Sequence, residues 1–300
     1  MLDKINGIVP VLHTPFTATG EVDEPALRKI VDFLCEKSIG GLWVLGTGGE
    51  DMNLTFEKRK QVASIVHSAN KNRKKIIIGC SFYSLEESMS FLDFLNGFTF
   101  SGVHYMPYQQ LISLDRIKYC YKEISKKSKN PVWMYSSANW CQHIPPAFVR
   151  DMKGTENIVG MKYSTSNAAH ISEVANLACS DFNVISAVAS TLLPSLSVGV
   201  DGATSSLAGA FPEVLIDIYD KFSTGKRREA LQAQRKLNNF TASWPKALAS
   251  SNFLKAAEEK CILEYRGFCN RYTSSYYRDA SDEEYEMIIA KFKEYYPELT

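Results

Sequence analysis

The sequence predicts a (β/α)8 barrel, the TIM-barrel fold, that continues into a helical C-terminal extension. Short apolar runs alternate with amphipathic helical stretches, eight such units fit within residues 1–225, and residues 226–300 show helical patterns without a convincing strand. A doubly wound sheet also alternates strands with helices, but eight near-regular units favour closure into a barrel. We therefore expect a barrel domain over residues 1–225 and an extension over residues 226–300.

The strand candidates are short apolar runs, most of them continuous rather than alternating. Parallel strands have this pattern when helices cover both faces of the sheet, because neither face then meets water. In chain order the eight runs are Ile8–Leu12, Leu42–Leu45, Ile76–Gly79, Gly102–Tyr105, Val132–Tyr135, Ile158–Lys162, Asn183–Ser186 and Ala203–Ser205.

The segments between the strands place apolar residues at helical spacing. In the first, Asp23–Lys37, they recur at i, i+3, i+4 and i+7 from Leu27, and Asp23 is suited to cap the helix N-terminus. The remaining helices are predicted at Phe56–Ala69, Leu85–Leu95, Asp115–Lys127, Pro146–Met152, Ala168–Ala178, Leu192–Val198 and Pro212–Phe222, and those of the extension at Ala247–Tyr265 and Asp282–Tyr295.

Composition and charge exclude several classes of function. A net charge of +1 gives no electrostatic basis for binding nucleic acid or an anionic membrane. No run approaches the ~20 apolar residues of a membrane helix, and Met1–Gly7 does not resemble a signal peptide. The seven cysteines include no CxxC pair, which favours reduced thiols over a disulfide framework. We expect a soluble cytoplasmic protein.

Three strand ends carry residues suited to catalysis, and barrel enzymes place their chemistry at those ends. The sixth strand ends in Lys162, and a lysine desolvated in a pocket is partly neutral and therefore nucleophilic. Such an amine attacks a ketone to form an imine, and Tyr135 at the end of the fifth strand can relay the protons. After the second strand, the hydroxyl of Thr47 and the backbone N–H groups of Gly46-Thr47-Gly48-Gly49 can hold a carboxylate.

Each of these features has a structural explanation when it is taken alone. Lys162 could be a solvated strand end, Tyr135 could pack at the barrel rim, and the glycine-rich segment could be only a tight turn. That segment also lacks the spacing of a dinucleotide fingerprint and the ending of a P-loop. Their shared position at strand ends of one predicted barrel mouth favours catalysis.

The same residues resemble a known family, the dihydrodipicolinate synthase/N-acetylneuraminate lyase family of class I pyruvate-dependent aldolases. The likeness covers nearly the whole chain and includes the helical extension. It is carried by Ile8-Val9-Pro10-Val11 with Thr14-Pro15-Phe16, Gly46-Thr47-Gly48-Gly49-Glu50, Tyr135, Gly160-Met161-Lys162 and Val200-Asp201-Gly202-Ala203.

The resemblance implies a role for each matching position. Lys162 would form the Schiff base and Tyr135 would relay protons, with no cofactor. Thr47 and Gly48 would hold the pyruvoyl carboxylate. Two further residues follow by position: Ser164 would contact the substrate beyond the keto acid, and Tyr108 would match an aromatic residue that reaches a neighbouring active site. The resemblance also implies a homo-oligomer, a tetramer built from dimers.

Three departures from the family pattern bear on the substrate. The synthases carry Tyr-x-x-Pro-x-Arg at the fifth strand, whereas Tyr135-Ser136-Ser137-Ala138-Asn139-Trp140 lacks the arginine that would bind a second carboxylate. Sialic acid lyases carry acidic residues after the seventh strand, where this chain has Ala187-Val188-Ala189-Ser190. Gly48 replaces the usual threonine, and a glycine at this position resembles the pattern of members that cleave 2-keto-3-deoxy sugar acids. Trp140 could form an apolar wall or pack at the rim.

The sequence therefore predicts an aldolase that cleaves a 2-keto-3-deoxy sugar acid to pyruvate and an aldehyde. A dihydrodipicolinate synthase, an N-acetylneuraminate lyase and a non-catalytic barrel that binds a keto acid stay open as alternatives. The five histidines are scattered, so no metal site is expected, and His13 and His104 are expected to be hydrogen-bonded structural residues.

Overall fold

The computed structural model describes residues 3–137, 140–245 and 256–300. Eight parallel strands form a nearly closed barrel with helices between them, in the order β1-β8-β7-β6-β5-β4-β3-β2, and helices follow the last strand. The predicted (β/α)8 fold is confirmed. The strands are β1 (Gly7–Pro10), β2 (Leu42–Val44), β3 (Ile76–Gly79), β4 (Gly102–Tyr105), β5 (Val132–Ser137), β6 (Ile158–Ser164), β7 (Asn183–Ser186) and β8 (Gly202–Ser205).

The helices agree with the predicted positions for most of the barrel. Residues 247–255 of the predicted helix Ala247–Tyr265 lie outside the described residues. The described helices are α1 (Glu24–Cys35), α2 (Phe56–Asn70), α3 (Leu85–Leu95), α4 (Leu114–Lys127), α5 (Pro146–Met152), α6 (Ala168–Ala175), α7 (Leu192–Ser197), α8 (Leu207–Ala210), α9 (Pro212–Ser223), α10 (Arg227–Ala242), α11 (Ala256–Tyr265) and α12 (Asp282–Tyr295).

Side-chain caps mark several helix starts. Asp23 accepts the backbone N–H of Ala26, as the sequence predicts, and satisfies a donor that α1 would otherwise leave without a partner. Ser281 and Glu284 form a reciprocal capping box at the start of α12. Among the helices of the described segments, none is both long and apolar enough to cross a membrane.

The chain forms two compact units. The first comprises Met1–Val9, Gly40–Val44 and Lys74–Thr204, and the second comprises Pro10–Ile39, Leu45–Arg73 and Ser205–Thr300. The sequence-based boundary between residues 225 and 226 stays a prediction.

In the first unit, Trp133 of β5 fills space that two glycines leave open. A Cβ atom on Gly102 of β4 would lie 2.7 Å from the Trp133 ring, and one on Gly160 of β6 would lie 2.8 Å from it. Real Cβ atoms do not approach this closely, so both neighbouring strands need glycine at this level. Trp133 is 1% exposed and belongs to the barrel core below Tyr135.

Candidate active site

Lys162 and Tyr135 lie side by side in the first unit. They are register partners on the adjacent strands β6 and β5, and parallel strands point register partners to the same face. The Lys162 Nζ lies 4.0 Å from the centroid of the Tyr135 ring and 4.5 Å from that of the Trp43 ring. Lys162 and Tyr135 are each 3% exposed. This burial contradicts a solvated strand end at Lys162.

A cluster of aromatic rings fixes the position of Tyr135. Trp43 of β2 stacks on His104 of β4 at 4.3 Å between ring centroids, and the Tyr135 ring stands nearly perpendicular to both. The His104 Nε2 donates to the Val44 carbonyl at 3.1 Å, so this histidine is hydrogen-bonded and buried, as expected. Edge-to-face rings at these distances favour one orientation of the phenol.

Tyr121 of α4 holds the β5 backbone from the outer side and was not singled out in the sequence. Its hydroxyl accepts from the Tyr135 backbone N–H at 3.2 Å and lies 2.9 Å from the Tyr105 carbonyl, to which it donates. Burial raises the pKa of Tyr121 well above its usual value, so the hydroxyl stays protonated. Its place in the apolar stripe of α4 predicts packing, and the sequence carries no sign of its backbone partners.

Two further predicted residues lie at or near these strand ends. Ser164 is half-buried, pairs in register with Ser137, and follows Lys162 by two residues, so both side chains face the same side of β6. Tyr108 is buried in the segment after β4. Trp140 is half-buried, whereas Ala138 and Asn139 lie outside the described residues.

Thr47 and Gly48 belong to the second unit, in the turn Thr47–Gly49. Leu45 and Glu50 on either side of the turn adopt φ values of 52° and 59°, a left-handed conformation that is uncommon for residues other than glycine. A Cβ atom on Gly48 would lie 3.0 Å from the Ser206 Cβ and 3.1 Å from the Val11 Cγ1. Thr47 is half-buried in this turn.

His13 also lies in the second unit, where it is fully buried. Its Nε2 donates to the Ser206 carbonyl at 2.9 Å. Burial lowers the His13 pKa to about 4, and the positive charge of Lys260 lowers it further, against the raising effect of the Ser206 hydrogen bond. The imidazole is therefore neutral at pH 7, in agreement with a structural role. Within the described part of the chain, no group of three or more His, Cys, Asp or Glu residues is arranged to hold a metal ion.

Comparison with known proteins identifies the family. Residues 4–287 match the Dihydrodipicolinate synthetase family. The chain belongs to this family. The curated relatives include the probable 2-dehydro-3-deoxy-D-pentonate aldolase YjhH of Escherichia coli K12, 24% identical over 296 residues that cover 97% of this chain and 98% of the relative. They also include the putative 2-dehydro-3-deoxy-D-gluconate aldolase YagE of the same organism, 26% identical over 73% of this chain and 74% of the relative.

Solved structures of other proteins share the fold of this member of the Dihydrodipicolinate synthetase family. The Proteus mirabilis N-acetylneuraminate lyase superposes with a TM-score of 0.89 at 19% identity, over 98% of this chain and 99% of that one. The E. coli YagE structure, in complex with pyruvate, superposes with a TM-score of 0.87 at 20% identity, over 97% and 98%. Dihydrodipicolinate synthetase family members, aldolases and lyases among them, are carbon–carbon lyases, and this chain is an enzyme of that class.

Proposed function

We propose that this protein is a class I aldolase that cleaves a 2-keto-3-deoxy sugar acid into pyruvate and an aldehyde. The observation that carries the proposal is the buried Lys162 amine, 4.0 Å from the ring centre of Tyr135 on the adjacent strand. Membership of a family of carbon–carbon lyases supports it, as does similarity over nearly the full length to a probable 2-dehydro-3-deoxy-D-pentonate aldolase.

The first step joins Lys162 to the substrate. The neutral amine attacks the C2 ketone, and loss of one water molecule leaves an imine between Nζ and C2. Tyr135 passes a proton to the departing hydroxyl. The protonated imine is a cation, and the faces of Trp43 and Tyr135 next to Nζ favour positive charge at this position.

The second step breaks the bond between C3 and C4. A base removes the proton of the C4 hydroxyl, the bond electrons move into the imine, and the aldehyde leaves as an enamine forms on Lys162. Protonation of C3 gives the pyruvate imine, and one water molecule hydrolyses it to pyruvate and free amine. We assign both proton transfers to Tyr135, because it carries a hydroxyl and its buried ring lies 4.0 Å from the lysine amine.

The substrate carboxylate is assigned to Thr47 and Gly48, following the family resemblance. A hydroxyl and successive backbone N–H groups of a tight turn suit an anion. Ser164 is assigned to a hydroxyl of the sugar acid beyond C2, since it lies two residues past Lys162 on the same face of β6. We assign Tyr108 the role of the aromatic residue that reaches the active site of a neighbouring subunit in a homotetramer.

The choice of a sugar acid depends on residues that the other subfamilies do not share. The threonine that is usual at this position would require Ser206 and Val11 to shift, because even a Cβ atom on Gly48 would lie 3.0 and 3.1 Å from them. The segment after β7, Ala187-Val188-Ala189-Ser190, carries no carboxylate for a sialic acid tail. Relatives named 4-hydroxy-tetrahydrodipicolinate synthase, such as that of Persephonella marina (26% identical over 75% of this chain), keep the synthase as the second candidate.

Steady-state assays separate these candidates. The purified protein is given 2-keto-3-deoxy-pentonates and -hexonates, N-acetylneuraminate, and pyruvate with aspartate semialdehyde, and pyruvate release or consumption is followed. We expect the highest kcat/KM for one of the 2-keto-3-deoxy sugar acids. A higher kcat/KM for condensation with aspartate semialdehyde would identify a synthase instead. Pyruvate binding without turnover of any substrate would support a non-catalytic keto-acid-binding barrel.

The assembly is proposed from the family resemblance, and the location is proposed from the cysteine pattern of the sequence. We propose a cytoplasmic homotetramer built from dimers. In each subunit, residues 1–225 form the barrel domain and residues 226–300 form the extension. Sedimentation equilibrium of the full chain tests the assembly, and a monomer at micromolar concentration contradicts it.

A further inference from the structure

The helix α11 carries two consecutive charged residues that are almost completely buried. Glu259 is 1% exposed and Lys260 is 0% exposed. Charged side chains are rarely buried to this extent unless a partner compensates them. Lys260 forms an ion pair with Glu50, and Glu259 accepts a hydrogen bond from the Ser206 hydroxyl at 2.7 Å. Both partners are next to the turn Thr47–Gly49 of the same unit.

The Glu50 carboxylate is held at both oxygens. Oε1 accepts from Lys260 Nζ, and Oε2 accepts from the backbone N–H of Ser274 at 2.8 Å. Lys260 Nζ also donates to the Tyr272 carbonyl at 2.8 Å and lies 4.4 Å from the centre of the Phe16 ring. Hydrogen bonds between charged groups in a dry environment are strong and strongly directional, so this carboxylate has one position.

The backbone of Glu50 is coupled to the turn that precedes it. Glu50 adopts a φ of 59° and donates its backbone N–H to the Thr47 carbonyl at 3.1 Å. A left-handed conformation at a residue other than glycine persists only where the surroundings hold it. The contacts of the Glu50 carboxylate with Lys260 and Ser274 hold it from one side. From the other side, Ser206 packs against Gly48 and is itself hydrogen-bonded to Glu259.

We propose that Glu50 and Lys260 are positioning residues for substrate binding. Through this pair, the extension keeps the turn Thr47–Gly49 in the conformation that binds the substrate carboxylate. The inference rests on the proposed function, in which Thr47 and Gly48 bind that carboxylate. Neither Glu50 nor Lys260 touches the substrate.

A purely structural role makes a different prediction for stability and binding. Loss of one member of a buried ion pair leaves an uncompensated charge and lowers stability, whereas loss of both members avoids that penalty. If the pair serves stability alone, a double variant recovers both the Tm and the binding of pyruvate. If the pair positions the turn, the double variant recovers the Tm and still binds pyruvate weakly.

The test uses Glu50→Gln, Lys260→Met and the double variant, in the full chain. Glu213→Gln is the matched control, because it removes the partner of Arg266 beside α11, in the same unit, without touching the turn. Two readouts are measured: the Tm, and the pyruvate concentration that gives half-maximal adduct formation under borohydride. We expect that concentration to rise about tenfold in the three variants, the effect of losing roughly one charge-assisted hydrogen bond. The control should stay within about twofold of the wild type.

Two results overturn the inference in distinguishable ways. If the wild type forms the adduct and the folded double variant reaches half-maximal trapping at the wild-type concentration, positioning by the pair is wrong and the proposed function stands. If the wild type forms no adduct at any pyruvate concentration, the proposed function fails and the inference fails with it.

Discussion

At the scale of single residues, the proposed chemistry depends on the buried Lys162 amine, which lies 4.0 Å from the centre of the Tyr135 ring. Lys162 and Tyr135 could be selected because each is a polar residue at the end of an apolar strand, and the barrel makes them neighbours. Tyr121 could not be selected, because its hydroxyl bonds only to backbone groups of β4 and β5, and backbone partners have no signature in sequence. Thr47, Gly48, Ser164 and Tyr108 remain proposals as substrate-binding residues.

Replacement of Tyr135 by phenylalanine tests the proton relay. It keeps the aromatic contacts and removes the hydroxyl, so kcat should fall by about two to four orders of magnitude, the usual contribution of a general acid–base group. The matched control is Tyr163→Phe, which loses a hydroxyl bonded to the Ile144 carbonyl on the other face of β6. The control should cost about 1 kcal/mol of stability with little change in kcat. Equal kcat values for the two variants would exclude Tyr135 as the relay.

Replacement of Gly48 by alanine tests the packing of the turn. The new Cβ atom would lie 3.0 Å from Ser206 and 3.1 Å from Val11, so the free energy of unfolding should fall by about 1–3 kcal/mol. The KM should rise, because the turn has to shift. Adding Val11→Ala should recover part of the loss in chemical denaturation. A Gly48→Ala variant with wild-type stability would contradict the tight packing of Gly48 against Ser206 and Val11.

At the scale of elements, apolar periodicity located nearly every strand and helix of the barrel. β5 and β6 run two residues beyond their predicted ends because Ser137 and Ser164 pair across the sheet, and local propensity does not register such pairing. The helix α10 was not predicted individually. It buries only Ala230, Gln234, Leu237 and Phe240, a narrow stripe that includes a polar residue, so its apolar signal is weak.

The packing of Trp133 against Gly160 of the neighbouring strand β6 gives a testable prediction. Gly160→Ala in β6 should lower the free energy of unfolding by at least about 1 kcal/mol, because its Cβ atom would lie 2.8 Å from the Trp133 ring. Activity should fall as well, since Lys162 is on the same strand. Gly97→Ala, whose Cβ would meet only the Phe94 carbonyl at 3.3 Å, is the control. Thermal unfolding of both variants measures the difference, and equal Tm values would contradict this packing.

At the scale of the whole molecule, the sequence predicted the fold class and the family but not the buried charges of the second unit. Glu50 and Lys260 are 210 residues apart, and periodicity reports on neighbours along the chain only. A charged residue inside a predicted helix is normally assigned to the solvent face, which is wrong for Lys260. The same limit applies to substrate choice, which depends on a few side chains brought together by folding.

Global stability should depend on the titration of His13. Burial lowers its pKa from the ordinary histidine value of 6.5 to about 4 in the folded protein, so the unfolded chain binds the proton more tightly. The stability from neutral His13 is therefore complete above pH 6.5 and is lost as the pH falls towards 4, by up to about 3 kcal/mol. His13→Gln keeps a donor near Nε2 and should flatten this part of the pH profile in chemical denaturation. Identical profiles for variant and wild type would rule out His13 as the cause.

The imine on Lys162 is tested most directly by trapping it. Wild type, Lys162→Ala and the control Lys118→Ala, which removes a lysine paired with Asp151, are incubated with pyruvate and sodium borohydride and weighed intact by mass spectrometry. We predict one reduced pyruvate adduct on the wild type and on the Lys118 variant, and none on the Lys162 variant. An adduct that persists in Lys162→Ala, or its absence from the folded wild type, would contradict Schiff-base catalysis by Lys162.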